Sequence, residues 1–286
     1  MRLVRFISYT ILEKLLTVRV VAFSVIMFLI CWIYNEQIRQ YAAALNYPAG
    51  IWVFPFLMGS YTFLIMFYFA AIYVNADIPF MQYSNMYRLL RSGRRNWAIS
   101  QILMLFFRSF FLVCITFICS VITLLPNIEL TMEWGKLLYN VGAGTVQINT
   151  NWKYFLYYEA MVHWTPIELI SLTILISTLV VFFLSLFMFL ISLFVNRIFA
   201  VVGATAMDFL LFFVLNAHPQ IRNRLAFWVP TIWPQISRQY TPDVGYFWMP
   251  SVPYILTVSL VSIAVLSLLI IFRIRYVEFD WRNEDT

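Results

Sequence analysis

The sequence predicts an all-α polytopic membrane protein. Two observations carry this reading. Of 286 residues, 63% are hydrophobic and only 11% are charged, against about 25% charged in an average soluble domain. The apolar residues also gather in long runs that hold almost no charge. A soluble enzyme of this size needs charge over its surface, and 13 acids with 19 bases are too few to supply it. Disorder is excluded by 28 Phe, 17 Tyr and 10 Trp, since disordered chains are poor in such residues.

Six spans follow from the runs. A bilayer core of about 30 Å needs about 20 helical residues. Val20 to Asn35 is free of charge, and Arg19 at its edge can snorkel. Ile51 to Ala76 is a second run, and Trp97 to Leu125 a third that contains Arg108. Ile167 to Asn196 is a fourth, with Glu168 near its start; Ile198 to Ala217 is a fifth, containing Asp208; Tyr254 to Phe272 is a sixth. The expected helices cover residues 18–35, 51–76, 97–125, 167–195, 198–217 and 253–273 of a single transmembrane domain. A β-barrel would show alternating segments of about ten residues, and these runs are continuous and longer.

Lys and Arg placement sets the orientation. Twelve fall on the side that carries both termini and six on the other, with Arg108 left inside a span. The richer side is expected to be cytoplasmic, in a plasma membrane, with both termini inside. This rule accounts for the net charge of +6 without a nucleic-acid partner.

The segments between spans are unequal. Residues 1–16 place Leu3, Val4, Ile7, Ile11 and Leu15 on one helical stripe, with Arg2, Arg5, Tyr9 and Glu13 opposite. This predicts a helix lying in the inner interface. In residues 77–96, Pro79 stops the preceding helix, Ser84 can cap a new one and Gly93 can end it. The enclosed helix carries Tyr87, Arg88, Leu90 and Arg91, followed by Arg94 and Arg95. Its arginines either dock a partner or anchor the loop to lipid headgroups. The outer loops, 126–166 and 218–252, are rich in Trp, Tyr and Pro. They suit short helices at the interface, as a gate or as an aromatic belt.

Arg108 and Asp208 are the ionisable residues at mid-span. Arg108 lies 11 residues from Trp97 and Asp208 ten from Ile198, or about 16 and 15 Å of helix rise. Similar depth predicts an ion pair between the third and fifth spans, or two charges facing one cavity. Ala200, Gly203 and Ala204 form a small-residue face on the fifth span that permits close helix approach.

Catalytic signatures are scarce. Cys31, Cys114 and Cys119 lie in apolar runs and read as core residues. Only His163 and His218 are present, so a histidine metal site is not expected. Phosphate-binding loops and Gly-x-Ser-x-Gly elbows are missing. Energised work would therefore draw on a partner or on an ion gradient.

In layout the chain resembles the permease subunit of bacterial type-2 ABC exporters. The likeness rests on an interfacial N-terminal helix, six spans, and the stretch DIPFMQYSNMYRLLRSGRRNW between the second and third. Its Asp-x-Pro opening and Arg-x-Gly-Arg-Arg-x-Trp ending resemble those of permeases associated with peptide or antimicrobial-agent export. The resemblance implies that the loop is a coupling helix docking through Tyr87, Arg88, Leu90, Arg91, Arg94 and Arg95. It implies two copies of a separate ATPase subunit, which bind ATP and Mg, so this chain needs no cofactor and is not itself an enzyme. It also implies a second permease, identical or related, and an amphipathic substrate moved outward. The proline-rich stretch 218–252 departs from the pair of outer re-entrant helices common in that family. Two other classes stay open: an ion-coupled secondary transporter using Asp208, or a membrane enzyme or assembly factor with a site near Glu159, His163 and Glu168.

Overall fold

In the computed structural model the chain is described at residues 17–78, 93–144, 153–242, 245 and 247–276. The N-terminal segment 1–16 and the helix expected around Tyr87, Arg88, Leu90 and Arg91 lie outside the described residues. The molecule is mostly helical. Four helices are long and apolar enough to cross a membrane: Arg94–Ile122 (α5), Pro166–Phe194 (α8), Arg197–Asn216 (α9) and Val252–Arg273 (α11). A fifth candidate is a bent pair, Val18–Tyr34 (α1) and Glu36–Ala44 (α2), which meet at 47°. This makes it a membrane-embedded all-α protein with four or five candidate spans among the described residues.

The expected second span is broken. It divides into Phe54–Gly59 (α3) and Tyr61–Asn75 (α4), with Ser60 in extended conformation between them. Beside the break the packing is close: a Cβ on Gly59 would run into the Ser237 hydroxyl, which donates to the Pro55 carbonyl at 3.1 Å. At 15 residues, α4 spans about 22 Å, less than a bilayer core.

Helix starts are chemically marked. Thr165 and Glu168 form a reciprocal capping box at α8, with Pro166 in the first turn. The Asn196 side chain accepts from the Phe199 N–H at 2.9 Å and starts α9 two residues after α8 ends. This turn folds α8 and α9 into an antiparallel pair.

α8 is the central helix. It packs on α5, α9 and α11, and also touches α3 and α4. α1 packs on α4 and α5, and α9 on α4. The buried stripe of α1 is Val20, Phe23, Met27, Cys31 and Tyr34, at spacings of three and four. By contrast α11 buries only Ile255, Ser259 and Ile270, so most of its apolar surface faces outward.

The bundle has two unlike ends. At the charged end Arg19, Asp77, Arg94, Arg197 and Arg273 gather around the termini of α1, α4, α5, α9 and α11. At the aromatic end lie Lys136–Gly142 (α6), Tyr158–His163 (α7), Pro219–Ala226 (α10) and two short 3-10 turns, Pro230–Ile232 and Ile236–Arg238. A two-residue parallel ladder, Ala49–Gly50 (β1) with Ile128–Glu129 (β2), ties this layer together. Its register pairs Ala49 with Ile128 and Gly50 with Glu129.

Candidate functional site

The charged end holds the first constellation. Asp77 lies two residues beyond the end of α4. Its carboxylate lies 3.3 Å from the Arg108 guanidinium and 3.8 Å from that of Arg19. Arg108 also donates to the Val74 carbonyl at 2.6 Å. The Arg108 side chain is fully buried, and Asp77 is 18% exposed. Breaking such a buried pair by removing one partner costs about 3–5 kcal/mol.

The expected pair of Arg108 with Asp208 is not formed. Arg108 sits in the middle of α5, yet it is level with the end of α4, because α5 runs on past that end. α5 has 29 residues, about 44 Å of helix. Residue counting from Trp97 therefore misjudged the depth of Arg108. Asp208 lies 11 residues inside α9 from Arg197, whose side chain reaches the Ala76 carbonyl at 3.3 Å. It belongs to the buried stripe Ala200, Ala204, Asp208, Leu211 and Val214. It is fully buried, and neither carboxylate oxygen has a hydrogen-bond partner. Tyr68 is its close ionisable neighbour, and that hydroxyl is already donated to the Thr231 carbonyl at 3.1 Å. The two charges thus serve separate places.

The start of α5 is also tied down. Gly93 has φ of +79°, a conformation glycine adopts without strain, and it turns the chain into α5. Arg94 then donates to the Arg275 carbonyl at 2.8 Å, joining the start of α5 to the end of α11. Arg95 is exposed. Trp97 is buried against Phe189 of α8, with Ile270 and Ile274 in the same cluster. Asp77 is therefore joined to α1 and α5, and Arg94 to the end of α11.

A second constellation controls the bend of α1 and α2. Asn35 is fully buried. Its amide donates to the Ser120 carbonyl at 3.1 Å and to the Thr123 hydroxyl at 2.9 Å. It accepts from the Tyr154 hydroxyl at 3.0 Å. Arg39 donates to the Thr123 carbonyl at 2.9 Å and lies 3.6 Å from the Trp32 ring centroid. Burial holds the Tyr154 hydroxyl well above its ordinary pKa of about 10. Sequence reading did not select Asn35; its signal is a polar residue followed by Glu36 at the end of an apolar run.

The acids and histidine of the outer loops are not brought together as a catalytic group. Glu168 is engaged in the α8 capping box. The His163 ring stacks on Tyr240 at 4.2 Å, and its Nδ1 lies 2.9 Å from the Glu159 carbonyl. Among the described residues, no three His, Cys, Asp or Glu side chains are grouped as metal ligands.

No family model matches the chain, and neither the curated proteins nor the solved structures contain a match to it.

Proposed function

We propose that the chain is the membrane-spanning permease subunit of an ATP-driven exporter of the type-2 ABC class. The observation that carries this is the anchoring of the 77–94 stretch. Asp77 joins its beginning to Arg19 of α1 and Arg108 of α5, and Arg94 joins its end to α11. A force applied to that stretch reaches three helices directly. In this reading two copies of a separate ATPase subunit dock on the loop through Tyr87, Arg88, Leu90, Arg91, Arg94 and Arg95. ATP and Mg bind there and not on this chain. A second permease, identical or related, completes the pathway. The charged end faces the cytoplasm of a plasma membrane, six spans bring both termini to that side, and an amphipathic substrate moves outward.

The test is purification from native membranes in mild detergent. Wild type brings down an ATPase bearing a phosphate-binding loop, and the Arg88→Glu, Arg91→Glu variant loses it. An empty wild-type purification would sink the reading.

A second reading, an ion-coupled carrier, is favoured by the unpartnered carboxylate of Asp208. It predicts proton- or sodium-driven flux that vanishes in Asp208→Asn while the protein stays folded. Undiminished flux in that variant removes it.

A further inference from the structure

The aromatic end contains a cavity of about 590 Å³ that belongs to neither charge centre. Its size falls within the range of small-molecule sites. Its walls come from the ladder strand β2, the turn before α6, and the end of α7, and include Trp134, Trp164, Tyr139 and Tyr47.

These walls are held in place before any ligand arrives. The Trp134 indole N–H is shared between the Met161 and Trp164 carbonyls, each at 3.1 Å. The turn that presents it depends on Gly50 and Gly135. A Cβ on Gly50 would come within 2.8 Å of the Trp134 carbonyl, and Gly135 has φ of +75°. Trp52 fixes the rim by donating to the Thr131 carbonyl at 2.7 Å. The Tyr139 and Tyr158 hydroxyls meet at 2.9 Å, a bond that raises the Tyr139 pKa.

The polar equipment is one-sided. Glu129 is set by its pairing opposite Gly50, and its carboxylate lies beside Gly135. Glu133 stands on the same turn. The ion pairs among the described residues are those of Asp77 and Glu36, so neither Glu129 nor Glu133 is neutralised by one. Lys136 also lines the cavity, leaving the lining one negative charge in excess. The Trp164 indole N–H is buried without an acceptor.

We propose that this cavity binds an organic cation with an apolar body. Aromatic faces attract a cation through their π-electrons. The two carboxylates supply the opposing charge, and the rings cover the apolar part. An anion of the same shape gains the apolar contact but meets the carboxylates. The site stands on its own geometry and does not depend on the exporter reading.

The test uses the full chain in lipid nanodiscs, with empty nanodiscs subtracted to remove partition into lipid. Equilibrium dialysis with tetraphenylphosphonium is expected to show saturable binding. The Glu129→Gln, Glu133→Gln variant is expected to bind at least about tenfold more weakly, the scale of losing a charged contact. Tetraphenylborate, equal in shape and opposite in charge, is the control on unaltered protein and needs no variant to fold. Saturable binding of the cation alone, lost in the variant, supports the site. No saturable binding, equal affinity for the anion, or equal affinity in a folded double variant overturns it. None of these readings involves an ATPase, so failure here is distinguishable from failure of the exporter proposal.

Discussion

The Arg108 guanidinium meets the Asp77 carboxylate at 3.3 Å and the Val74 carbonyl at 2.6 Å, so α5 is joined to the end of α4 at one buried point. Asp77→Asn leaves the arginine charged and buried, and should lower stability by about 3–5 kcal/mol. The reversed pair Asp77→Arg with Arg108→Asp should recover part of that loss in a thermal denaturation series. Arg108→Asp with Asp208→Arg should recover none. Recovery by the second swap would contradict the pairing described here.

Asp208 makes the opposite case. An isolated carboxylate at the centre of a span costs at least about 2.5 kcal/mol, and no hydrogen bond in this structure offsets it. Asp208→Asn keeps the shape and removes the charge. The melting temperature should hold or rise, and a clear fall would mean that an unseen partner satisfies the carboxylate.

At the bend, Asn35 forms three buried hydrogen bonds. With each worth about 1 kcal/mol, Asn35→Leu should cost about 2–4 kcal/mol and Tyr154→Phe about 1. Combining them should cost less than the sum, because they share a bond.

Tyr154 also gives a pH signature. Its folded pKa is raised by burial. Above a pH of about 10 the unfolded chain releases this proton while the folded chain keeps it. Stability should therefore fall by about 1.4 kcal/mol per pH unit from that point until the folded pKa is reached. Tyr154→Phe should flatten this part of the alkaline slope; an unchanged slope would assign it to other groups.

Beside the break between α3 and α4, Gly59 leaves no room for a Cβ next to Ser237. Both lie in the interior. Gly59→Ala should cost about 1–3 kcal/mol through overpacking. Ser237→Ala in the same chain should return part of it by removing the hydroxyl. A failure of the second change to help would place the strain elsewhere.

Much of the helical frame was legible in the sequence because membrane helices announce themselves by missing charge. α5, α8, α9 and α11 begin and end within three residues of the stretches inferred from charge-free runs. The same signal failed at 51–76. Apolarity continues through Gly59 and Ser60, so hydropathy gives no sign of the break, and the residue packed beside it, Ser237, lies 178 positions away. Depth was illegible too. Counting rise along α5 and α9 put Arg108 and Asp208 at one level, but how far a helix projects beyond its neighbours depends on packing. The Asp77 anchor and the Asn35 lock were unread for a related reason: each acts on a partner more than 30 positions distant.

The length of α5 has a mechanical consequence. Pinned at Arg108, it continues for fourteen residues to Arg94, about 21 Å along the axis. A rotation of about five degrees about the pin swings Arg94 through about 2 Å, comparable to the tolerance of the hydrogen bond it makes to Arg275. Because this stretch is packed on α8 and α11 through Trp97, Met104 and Leu105, such a rotation has to carry those helices with it. The distance between two arginines on one helix thus sets how far α8 and α11 would be displaced with it.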